Sequence, residues 1–105
     1  MTLKFRHAFG EAVREQRLAK RLTLRDVSAK GLVSIGHLSD IERGVKEASS
    51  YTIECIANGL AIESYTLIIE AGYRMTAEAT YVPDTPESLF IRNSRWVEQY
   101  SDLVI

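Results

Sequence analysis

The sequence predicts an all-α fold: five helices, then a linker and a C-terminal sixth helix. Two observations carry the prediction. Side chains suited to capping a helix start recur at Thr23, Ser34, Ser49, Ser50 and Ser64, with glycine at the expected ends, Gly31, Gly44 and Gly72. Between these marks the apolar residues fall at helical spacing.

The first helix is expected over Phe9 to Leu22, with Phe9, Val13 and Leu18 on its apolar face. Thr23 can cap the second by accepting from the amide of Arg25 or Asp26, and Asp26 stands at the capping-box position in place of Glu. That helix runs from Leu24 to Gly31. Ser34 caps a third, which continues from Ile35 until Gly44 and points Leu38 and Ile41 at one core. In the fourth, YTIECIANGL, residues Ile53, Ile56, Ala57 and Leu60 form a stripe. The fifth, capped by Ser64, is expected to stop at Gly72. RMTAEATYV reads as a linker, and Thr85-Pro86-Glu87 then gives three helix-start signals before a stripe containing Leu89, Trp96, Val97, Tyr100 and Leu103. These boundaries divide the chain into a domain at 1–72 and an extension at 73–105.

With 105 residues, nearly half apolar and a quarter charged, the chain has ordinary globular composition. Its longest apolar runs, such as Leu67-Ile68-Ile69, are too short to cross a bilayer. The N-terminus lacks the pattern of a secretory signal, so the expected location is cytoplasmic with no membrane partner. Cys55 is the single cysteine; it excludes an internal disulfide and a multi-cysteine zinc site, and is expected to be a small buried hydrophobe. The net charge of −1 hides a division. Ten basic residues face five acidic ones up to Lys46, whereas three face nine from Glu47 onward. The N-terminal part suits a polyanion.

The stretch LTLRDVSAKGLVSIGHLSDIERGVKEASS resembles the helix-turn-helix of the lambda-repressor-like family, also called the Cro/repressor or xenobiotic-response-element family. The match is carried by Thr23, by the small Ser28 at the fifth position of helix 2, by Val33-Ser34 in the turn, and by Ile41-Glu42-Arg43-Gly44. The resemblance implies a five-helix DNA-binding domain over about residues 8 to 72, with its third helix in the major groove of double-stranded DNA. A small Ser28 would let the two helices approach while Val27, Leu38 and Ile41 fill the angle between them. A narrower similarity, in RDVS, IERG, KEASS and the helix from Ile53 to Leu60, is to the Clp gene regulator family of actinobacteria. That family implies a free-standing dimeric transcriptional activator of protease genes at a palindromic promoter site. Gly36-His37 stands where the family more usually has Gly-Tyr, which leaves the operator preference open.

Carried over by position, the resemblance makes Ser34, Ile35, Gly36, His37 and Asp40 the base-facing candidates. Ile35 can pack on a thymine methyl, His37 can donate to a phosphate or a purine, and Gly36 lets the backbone come close. Asp40 either accepts from a cytosine amino group or pairs with a neighbour such as Arg43. Phosphate positioning falls to Arg25, Arg43, Lys46 and the helix starts capped by Thr23 and Ser34. Glu42 is expected inside the protein, paired with Arg14 or Arg17. In the family the glycine of the turn usually sits where this chain has Leu32, one place after Gly31. Register favours a left-handed Leu32 over a helix that ends early with Leu32 packed inward.

A homodimer is expected because one such monomer touches only a half-site. Leu67 and Ile68 in helix 5 and the stripe of helix 6 are its candidate surface, although helix 6 can equally fold onto its own core. A protein-interaction module or an antitoxin on the same fold are the alternatives. No nucleophile or metal spacing supports an enzyme, and neither a cofactor, a metal nor a small-molecule effector is implied.

Overall fold

The computed structural model describes residues 4–77, which form five α-helices and no strand: α1 Phe5–Ala19, α2 Leu24–Gly31, α3 Ile35–Glu42, α4 Ser50–Leu60 and α5 Ser64–Ala77. Residues 73–77, expected to begin the linker, are the end of α5; the rest of that linker and the sixth helix lie outside the described residues. Helix α1 packs on α5 and α3, and α2 packs on α4 and α3. Phe9, Val13, Val27, Leu38, Ile41, Ile56, Leu60 and Leu67 are the largest fully buried side chains and meet where these pairs cross.

Helices α2, α3 and α4 start where their caps place them. Thr23 accepts from the Asp26 amide at 3.0 Å and its own amide donates to Asp26 Oδ2 at 2.8 Å, a complete capping box. Ser34 accepts from the His37 amide at 3.1 Å, and Ser49 from the Thr52 amide at 3.2 Å. Each such cap is worth about 1 kcal/mol to its helix.

Several expected boundaries and faces differ. Helix α1 begins at Phe5, not Phe9, and ends at Ala19, not Leu22; Lys4 supplies no side-chain cap, and a Phe5–Phe9 ring stack at 5.7 Å holds the first turn instead. Leu18 is half exposed, and Arg17 takes the inward position because its partner Glu42 waits there. Helix α5 runs through Gly72 to Ala77, fastened by Arg74 to Glu11 and Glu15 on α1 and by Leu67, Ala71 and Met75 in or against the core. Ser64 is the first residue of α5, and its hydroxyl donates to Glu54 at 2.7 Å. Leu67 is fully buried and contributes no surface to a dimer, whereas Ile68 on the same helix is exposed. Cys55 is buried on α4, as expected.

The turn between α2 and α3 explains the displaced glycine. A Cβ at Gly31 would run into the carbonyl oxygen of Cys55 and lie 3.3 Å from the Cα of Gly59, so the glycine permits α2 and α4 to cross closely. Leu32 then takes the left-handed conformation, φ 59 and ψ 42, and its side chain is 84% exposed. Ser28 latches the turn: its carbonyl accepts from the amides of Leu32 and Val33, and its hydroxyl donates to the Val33 carbonyl. Its small size therefore serves a hydrogen bond across the turn.

Candidate nucleic-acid interface

Helix α3 is braced from behind and open in front. Behind it, Glu42 accepts from Arg17 Nε at 2.7 Å and Nη2 at 3.0 Å, and Arg17 Nη1 donates to the Leu22 carbonyl at 3.0 Å. Both side chains are nearly buried, at 10% and 5% exposure, and the hydrogen bonds to Glu42 raise the Arg17 pKa above its ordinary value. Of the two arginines expected to hold Glu42, the structure selects Arg17. Removing one member of such a pair leaves a buried charge and costs about 3–5 kcal/mol.

At about 100° per residue, Leu38 and Ile41 turn inward, and Gly36, Asp40 and Arg43 fall on the opposite side as an i, i+4, i+7 strip. Ile35 and His37 flank this strip; Ile35 is 42% exposed and His37 is half-buried. A Cβ on Gly36 would meet nothing within 4 Å, so the first turn of α3 is bare outside. Ser34 is exposed, and with its oxygen accepting from His37 its hydroxyl hydrogen is left to donate outward.

Asp40 pairs with Arg43 Nη2 through Oδ1 and lies 3.8 Å from Lys46 Nζ through Oδ2. Of its two expected roles, the structure shows the ion pair. The chain reverses at Gly44, whose φ is +72, so that the amides of Val45 and Lys46 return to the Asp40 carbonyl at 2.9 and 3.4 Å. Arg6 Nε donates to the Gly44 carbonyl at 3.1 Å, tying this loop to α1.

Arg25 is exposed in the first turn of α2. Beside it the Asp26 carboxylate, accepting first from the Thr23 amide and also from its hydroxyl, titrates below the ordinary carboxylate range. Capping consumes the amides of Asp26 and His37, which leaves those of Leu24, Arg25, Ile35 and Gly36 as the first-turn donors without intrahelical partners. The nine residues singled out from sequence therefore lie on α3 and its cap, the start of α2, and the loop after α3. Sequence reasoning missed Ser39, at the edge of the α3 strip, and Arg6. The helical wheel alone reveals Ser39; nothing local marks Arg6, whose partner is 38 residues away.

Among the described residues no three His, Cys, Asp or Glu side chains gather as metal ligands do, and no single helix is long and apolar enough to cross a membrane.

The helix-turn-helix family profile matches residues 13–66, from the middle of α1 into α5. The transcriptional regulator ClgR of Mycobacterium tuberculosis is 37% identical over 86 residues, covering 82% of this chain and 77% of that protein. The crystal structure of the clp gene regulator ClgR from Corynebacterium glutamicum superposes with a TM-score of 0.71 at 31% identity, covering 92% of this chain and 97% of the other. The restriction-modification controller protein C.AhdI from Aeromonas hydrophila superposes with a TM-score of 0.57 at 29% identity, over 59% and 94% of the two chains. With its capped α2 and α3 and the outward strip of α3, the chain belongs to the helix-turn-helix family of transcriptional regulators that includes the ClgR proteins.

Proposed function

We propose that the chain binds a palindromic promoter site in double-stranded DNA as a homodimer, with α3 of each copy in the major groove. The outward strip of α3 carries this reading: a capped helix braced by a buried ion pair presents Gly36, Asp40 and Arg43 away from its core. Ser34, Ile35 and His37 meet base edges or the adjoining phosphates, and Gly36 admits the close approach. Arg25, Arg43, Lys46 and the first turns behind Thr23 and Ser34 position the phosphates. The similarity to a clp gene regulator is the ground for reading the site as a promoter.

The dimer reading is supported by α5. Tyr65 and Ile68 are 51% and 41% exposed, and Gly72, at i, i+3, i+7 with them, has open space where a Cβ would be. A second helix can approach closely at such a face.

Salt titration tests the phosphate assignments. Replacing Arg25 or Lys46 by alanine weakens binding to all duplexes and lowers the slope of log K against log salt by about 0.9 for each lost phosphate contact. An unchanged slope in both variants contradicts them.

A further inference from the structure

We propose that Asp40 is a charge brake on the recognition helix, a positioning residue that holds Arg43 and Lys46 and suppresses binding to DNA of arbitrary sequence. The proposal rests on the reading of α3 as the DNA-facing helix.

Asp40 occupies the centre of the outward strip, between Gly36 and Arg43. Its carboxylate engages Arg43 with one oxygen and faces Lys46 with the other, while its carbonyl holds the amides of Val45 and Lys46. One residue thus gathers, through side chain and main chain together, the two cations that follow α3. A carboxylate there has no hydrogen to give a phosphate. Oδ1 is engaged by Arg43, and Oδ2, 3.8 Å from Lys46 Nζ, keeps lone pairs with which a base could compete, so base reading is the rival outcome of the test.

The two cations therefore approach DNA with their charge partly compensated. Complexes with arbitrary sequence draw almost all their free energy from phosphate neutralisation, so the compensation weakens them directly. In those loose complexes α3 is not seated, and the strip's centre faces backbone phosphates of like charge. Once α3 is seated in the groove, the strip's centre faces bases, and Arg43 and Lys46 reach the flanking phosphates. The carboxylate then costs less.

The test uses the full chain and Asp40→Asn, which keeps shape and main-chain hydrogen bonds, with Asp40→Glu as the charge-preserving control. Binding is measured against salt on a random-sequence duplex and on a site selected from random DNA by the wild-type protein. On the random duplex, Asp40→Asn is expected to bind several-fold more tightly at low salt, with a log–log slope steeper by about one. Its affinity for the selected site rises less, so the specificity ratio falls, and Asp40→Glu keeps the wild-type slope. Loss of affinity for the selected site alone, with the random duplex unchanged, makes Asp40 a base reader and overturns the proposal; unchanged behaviour on both duplexes overturns it too. If the wild-type protein enriches no site and shows no salt-dependent binding, the reading of α3 fails and the proposal falls with it.

Discussion

Leu32 carries a left-handed backbone that glycine adopts without cost, because Gly31, one place earlier, is committed to the crossing with α4. The conformation costs a residue with a Cβ roughly 1–2 kcal/mol, and the exposed leucine side chain recovers little by burial. Leu32→Gly is expected to raise the unfolding free energy from urea titration, by up to about 1 kcal/mol after the greater freedom of glycine in the unfolded chain is counted. Gly31→Ala should lower it by about 1–3 kcal/mol, since the added methyl meets a backbone carbonyl that cannot rotate away. A stabilised Gly31→Ala or a destabilised Leu32→Gly contradicts this account of the turn. Leu32 was legible in the sequence because Thr23, Ser28, Ser34 and Ile41 fix the frame. The reason for Gly31 was not legible: its neighbours, Cys55 and Gly59, belong to another helix. Arg17 was half legible for the same reason, since a charge at a core position shows itself only through a partner 25 residues away.

Among the elements, α2, α3 and α4 were readable because caps are local chemistry, settled within four residues of the chain. Helix α1 starts without a side-chain cap, and α5 continues through a glycine that its packing on α1 outweighs. Helix α3 presents the sharpest tension between stability and function. Gly36 lies within it with open space around its missing Cβ, so alanine fits and favours the helix by up to about 1 kcal/mol. Gly36→Ala is therefore expected to melt at a higher temperature and, if α3 reads DNA as proposed, to bind its site more weakly, because the methyl would project toward the bases. Calorimetry and binding titrations on the same preparation check both halves. A variant that is more stable and binds equally well shows that the backbone at Gly36 does not approach the DNA.

At the scale of the molecule, the division of charge read from the sequence follows the fold. The basic part of the chain ends at Lys46, so it spans α1 to α3 and the loop after α3, and the acidic part begins with Glu47, ahead of α4. Arg25, Arg43 and Lys46 are exposed along the proposed phosphate-facing edge. The core uses apolar residues from all five helices, which fixes α3 against α1 and α2, the rigid support that the proposed reading of DNA by its outer strip requires.

Whether two copies present α3 to one duplex is decided by selecting bound sequences from random DNA and then weighing the complex on the selected duplex. The expected outcome is enrichment of two inverted half-sites centred about 10 base pairs, one helical turn, apart, with two chains bound per duplex. Failure to enrich any sequence over the starting pool, or a lone half-site holding a single chain, contradicts it.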